Sequence, residues 1–87
     1  MNTKLFIGNI PFVASEEDLK KFLEQAGEVV EVKIIRHRDT GKSRGFGFGE
    51  MKDEAGFKKA IEELNEQPIK IGDVERNLFV KEAKPRE

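Results

Sequence analysis

The chain has 87 residues and no cysteine, enough for one domain (1–87) with a modest core and no disulfide to support it. Sixteen Lys/Arg against seventeen Asp/Glu leave a formal net charge of −1, so overall charge selects neither a polyanion nor an acidic substrate as partner. No apolar run approaches the roughly 18 residues of a membrane span, and the opening MNTKLFIGNIPF lacks the basic start, long apolar stretch and cleavage site of a signal peptide, so a cytoplasmic location and no membrane partner are expected.

In chain order, KLFIGNI (residues 4–10) alternates in polarity, is β-prone and is ended by Pro11. Ser15 then offers a helix N-cap, with Glu16, Glu17 and Asp18 in the first turn and Asp18 placed for a capping box. Leu19, Phe22, Leu23 and Ala26 recur at helical spacing, and Gly27 is a stop signal. EVVEVKIIR (28–36) reads as a strand, RDTGKS as a polar turn and SRGFGFGEM as the next strand. Asp53 can cap a second helix that carries Phe57, Ala60, Ile61 and Leu64 on one face. QPIKIGDVE reads as a short hairpin or loop, NLFVKEA as the last strand, and KPRE as a frayed end.

The order βαββαβ predicts an α+β, ferredoxin-like sandwich: a four-stranded antiparallel sheet with two helices packed on one face. The other face is then bare, and a bare sheet face should be polar unless it has a job. In a strand, Arg44, Phe46, Phe48 and Glu50 share one face, and Gly45, Gly47, Gly49 and Met51 the other. Arg44 and Glu50 belong in water, so the two phenylalanines fall on the open side. Leaving them there forfeits about 1.5–3 kcal/mol of burial each. Rings beside an arginine can take unpaired bases on their faces.

RGFGFGEM resembles the longer signature of the RNA recognition motif family, and LFIGNI resembles its shorter one on the first strand, with Phe6 at the aromatic position. The likeness spans about residues 4–85. It implies that the first and third strands are central neighbours. Phe6, Phe46 and Phe48 would then form one platform for single-stranded RNA, with Arg44 meeting phosphate or a base edge. Single-stranded DNA is the alternative ligand. Lys4, Lys33 and Lys81 join the expected binding set, as do Arg38 and Lys42 of the turn between the second and third strands. The last strand would lie beside the first, so Phe79 either extends the platform or packs under the loop against Ile69 or Ile71.

The chain departs from the family pattern at Gly49 (ordinarily Val or Ile), Met51 (ordinarily aromatic) and Phe57 (ordinarily a small Ala), and residues 64–78 run about four longer. Gly49 and Phe57 have opposite departures in volume, so the Phe57 ring is expected over Gly49. With no tail on either side, the chain resembles small single-domain bacterial members of the family.

Charge is unevenly spread. Arg36, Arg38, Lys42 and Arg44 face only Asp39 along the turn, whereas the first helix is acidic. A basic lobe beside aromatics suits a nucleic-acid backbone. Glu31 and Glu50 are expected on the open face, where they repel phosphate. His37 has no partner for a metal site, and no metal, cofactor or small-molecule substrate is expected; a monomer is. Two rivals share the fold. Acylphosphatases resemble the chain in architecture only: their phosphate loop needs an arginine, GNIPFVAS has none, and no nucleophile stands beside a base, so an enzyme is not expected. A peptide-binding module would need an apolar helical face, but Lys20, Lys21, Glu24, Lys58, Lys59, Glu62 and Glu63 make that face charged.

Overall fold

The computed structural model describes residues 3–83. Its elements are β1 (Lys4–Gly8), α1 (Glu16–Leu23), β2 (Val29–Arg36), β3 (Ser43–Met51), α2 (Glu54–Lys59), a π-helical turn (Ala60–Leu64), β4 (Gln67–Ile71) and β5 (Val74–Glu82). The frayed end expected at 84–87 lies outside the described residues.

The sheet has five strands in the order β2-β3-β1-β5-β4, and every pairing is antiparallel. The ferredoxin-like sandwich is present, with one strand more than the four expected. Of the two readings of QPIKIGDVE, the hairpin is the one that forms: it adds the edge strand β4, and the last strand begins at Val74 rather than Asn77. Ile71 pairs with Val74 across a two-residue turn, in which Gly72 takes the left-handed φ of 59° such turns require. The extra length of the 64–78 segment is spent on this hairpin. Ile69 explains why it docks: it is buried against the core, whereas Pro68 and Lys70 on the same strand are exposed.

The caps form as their residues dictate. Ser15 Oγ accepts from the Asp18 N–H at 3.2 Å, and the Ser15 N–H donates to Asp18 Oδ2 at 2.9 Å. Two N–H groups that open α1 are thereby satisfied. Asp53 Oδ1 accepts from the Gly56 N–H at 2.8 Å and starts α2 in the same way.

Both helices cover one face of the sheet. α1 lies against β2, α2 against β3, and the π-helical turn against β5. Between the layers Leu5, Ile7, Leu19, Leu23, Met51, Leu78 and Val80 are fully buried, each contributing about 1.5–3 kcal/mol of hydrophobic free energy. No helix among the described residues is long and apolar enough to cross a membrane.

The glycines of β3 have three separate causes. Gly45 has φ of 86°, a left-handed conformation that side chains resist. A Cβ on Gly47 would run into the Lys33 carbonyl oxygen, a backbone atom of β2. A Cβ on Gly49 would come to 2.8 Å from Leu23 Cδ1 and 3.5 Å from Ile7 Cδ1. The side chain that fills the space over Gly49 is therefore Leu23 of α1. The Phe57 ring expected there is not among its nearest neighbours. Phe57 is buried elsewhere in the core, and Gly56 beside it packs against Met51 and Gly27.

Candidate nucleic-acid interface

Strand register sets which side chains share the open face. Directly opposed residues in antiparallel strands point the same way. Lys33 opposes Phe48, Phe48 opposes Phe6, and Phe6 opposes Lys81. One row thus crosses four strands as Lys33, Phe48, Phe6 and Lys81, with a cation at each end. Gly8 opposes Phe46 on one side and Phe79 on the other, making a second row. Glu31 opposes Glu50, which opposes Lys4, making a third. The residues between these positions, such as Leu5, Ile7 and Val80, point into the core.

The rings meet. Phe6 lies 5.9 Å from Phe46 at an interplanar angle of 31°, and 5.8 Å from Phe48 at 66°. These are tilted and edge-to-face pairs, which suit the ring quadrupole. Arg44 Cζ sits 5.4 Å from the centroid of Phe46, within cation–π range. Phe48 remains 40 % exposed and Phe79 41 %, while Phe6 and Phe46 are half-buried. Between the expected placements of Phe79, the structure selects the open face. Its Cβ flanks Gly8 across from the Phe6 ring, and Ile69 is buried without it.

Gly8 and Asn9, which the aromatic and basic pattern of the sequence does not mark, also shape the surface. A Cβ on Gly8 would press to 3.3 Å on Phe6 Cε1, so glycine keeps the floor between Phe6 and Phe79 low. Asn9 has φ of 60° and donates from Nδ2 to the Asn77 carbonyl at 2.8 Å, while its Oδ1 accepts from Arg76 at 3.3 Å. It ties the end of β1 to β5. An Asn after an alternating run, where the chain must turn, is the one local signal that could have marked it.

The basic turn is less uniformly available than its composition implies. Arg36 forms a two-pronged pair with Glu16 of α1, at 2.6 and 2.9 Å. Its guanidinium holds the Glu16 carboxyl down to about 2 from an ordinary value of 4.5, the side-chain hydrogen bond being the largest cause. Arg36 is therefore committed to joining α1 to β2. Arg38 and Lys42 are exposed on the β2–β3 connection, outside the ring cluster. That connection is closed by His37 N–H to Lys42 O at 2.7 Å and Gly41 N–H to His37 O at 2.8 Å. Among the described residues no group of His, Cys, Asp or Glu could hold a metal ion.

Comparison with known proteins bears on the family and the fold that carries this face. The profile of the RNA recognition motif family matches residues 5–75. Glycine-rich RNA-binding protein 8 of Arabidopsis thaliana is 44 % identical over 62 residues, which are 71 % of this chain and 37 % of that protein. A solved structure described as RNA Binding Protein PG1 is 43 % identical, covers 99 % of both chains and superposes with a TM-score of 0.83. One chain of a Sxl-lethal protein/RNA complex superposes with a TM-score of 0.85 at 25 % identity, covering all of this chain and half of that one. The chain spans half or less of the length of the curated plant relatives it matches. With both signature strands side by side at the centre of the sheet and helices behind them, this chain belongs to the RNA recognition motif family.

Proposed function

We propose that the chain is a binding module for single-stranded RNA, with bases stacked on Phe48, Phe6 and Phe46 and the backbone met by Arg44, Arg38 and Lys42. The observation that carries this reading is the cluster of three touching rings held on a solvent-facing sheet surface, with an arginine over one of them. Exposed apolar rings in a row are costly in water, and stacking of about 1–3 kcal/mol per base repays that cost. Lys33 and Lys81 close the two ends of the central row, and Phe79 adds a fourth ring at the β5 side. Family membership supports the same function, since this is an RNA-binding family and not an enzyme family. A monomer in the cytoplasm belongs to the proposal, with the rings assigned to bases rather than to a second copy of the chain.

The test is Phe48→Ala. Affinity for a short single-stranded RNA should fall by about 1–3 kcal/mol, while the thermal unfolding midpoint stays where it is, because the ring contributes to the open face and not to the core. Unchanged affinity in a folded variant would refute the reading. DNA of the same sequence, run alongside, reports whether the ribose hydroxyl adds affinity.

A further inference from the structure

Beside Phe48 the open face dips into a shallow depression walled by Lys33 and Glu31 of β2, by Glu50 of β3 and by Lys4 of β1. The register makes it a regular block. Lys33 is directly opposite Phe48, and Glu31 is directly opposite Glu50. Two like charges placed face to face across an antiparallel pair oppose folding. Among the described residues neither carboxylate has an ion-pair partner. The depression therefore offers, within reach of one stacked ring, an ammonium donor beside a pair of hydrogen-bond acceptors.

We infer that this depression selects guanine as the base stacked on Phe48. The inference rests on the stacking function proposed above and adds the identity of the base. The chemistry follows from the Watson–Crick edges, which unpaired bases present to protein groups. Guanine shows one acceptor, O6, beside two donors, N1–H and the N2 amino group. A lysine meets the first, and a carboxylate takes the other two side by side, as it takes the two prongs of an arginine. Uracil places its single N–H between two carbonyl oxygens, which a carboxylate repels. Cytosine and adenine each set one amino group beside a ring nitrogen that is itself an acceptor. Only guanine matches an ammonium next to a carboxylate along its whole edge. The same two acids repel phosphate, so they admit a base edge while the backbone runs elsewhere, toward Arg44 and the basic turn.

The experiment uses the whole chain and short oligouridine RNAs carrying one central guanosine, inosine, adenosine or cytidine, with plain oligouridine as reference. Guanosine should bind about 5- to 100-fold more tightly than adenosine, cytidine or uridine. Inosine, which lacks the N2 amino group, should fall between. The double variant Glu31→Gln/Glu50→Gln keeps size and shape but replaces one acceptor of each carboxylate with a donor. It should lose most of the guanosine preference while binding plain oligouridine as well as the parent or better. Equal binding of all central bases by the parent would overturn the inference and leave stacking intact. So would a guanosine preference that survives in the double variant. Failure to bind any of the RNAs would overturn both the inference and the function on which it rests.

Discussion

The two faces of β3 are built from alternating residues of one nine-residue strand, and they obey different rules. On the open face Phe46 and Phe48 are large, touch a third ring and remain partly in water. On the covered face Gly47 and Gly49 are small because β2 and α1 approach too closely for anything more. Bulk is placed where the core cannot use it and withheld where the core would normally want it. That inversion makes sense if the covered face answers to folding and the open face to a ligand. Substitutions on the two faces should therefore separate stability from binding.

The largest expected effect is on the covered face. Gly47→Ala must displace the β2 backbone and should cost about 3 kcal/mol of stability, at the upper end of overpacking costs. Gly49→Ala meets only the end of the Leu23 side chain, which can rotate, so about 1 kcal/mol is expected. Denaturant melts of the two variants check the order; equal costs would contradict the assignment of backbone to one and side chain to the other.

On the open face the signs reverse. Phe46→Ala should cost about 1–3 kcal/mol of RNA affinity and leave unfolding nearly unchanged. Phe79→Ala should cost less affinity than Phe46→Ala, because its ring flanks Gly8 at the β5 side and makes none of the ring contacts that hold Phe6, Phe46 and Phe48 together. Isothermal titration with one RNA across the three proteins gives the ranking.

Salt separates the rings from the turn. With Arg36 bound to Glu16, three of the four cations along the turn remain for phosphate: Arg38, Lys42 and Arg44. At about −0.7 per contact, the slope of log affinity on log salt should be about −2, and Arg38→Ala/Lys42→Ala should flatten it by about 1.4. A slope that stays unchanged in this variant would show that the turn does not touch the backbone.

The smallest effect concerns the clasp that holds the turn's base to α1. Glu16 has a folded-state value of about 2, below its ordinary 4.5. Its ionised form therefore favours the fold. The contribution is present in full above about pH 4.5 and disappears as pH falls toward 2. Both side chains are about 40 % exposed, so solvent screens much of it. Arg36→Ala should be slightly less stable than the parent at neutral pH and converge on it in acid melts. RNA affinity should barely change.

Much of this was legible in the sequence because it is local. The alternation RGFGFGEM declares which residues share a face, and SEED declares a capped helix. Glycine beside phenylalanine also shows that one face is unlike the other. The hairpin at QPIKIGDVE was legible only as one of two readings, since the segment carries Pro and Gly, and docking of Ile69 into the core decides between hairpin and loop. The neighbour of Gly49 was not legible either. Phe57 and Leu23 are both core residues of helices, and the tilt of each helix over the sheet leaves no mark in spacing. Arg36 read as a phosphate ligand because Glu16, twenty residues earlier, is adjacent only after α1 folds against β2.

The central claim is that RNA lies on the open face and stacks on its rings. The most direct measurement is a set of intermolecular nuclear Overhauser effects in a complex of the labelled chain with a single-stranded RNA. Contacts between base protons and the ring protons of Phe6, Phe46 and Phe48, with α1 and α2 unperturbed, are predicted. Contacts confined to the helical face, with the three rings unmoved, would contradict the account.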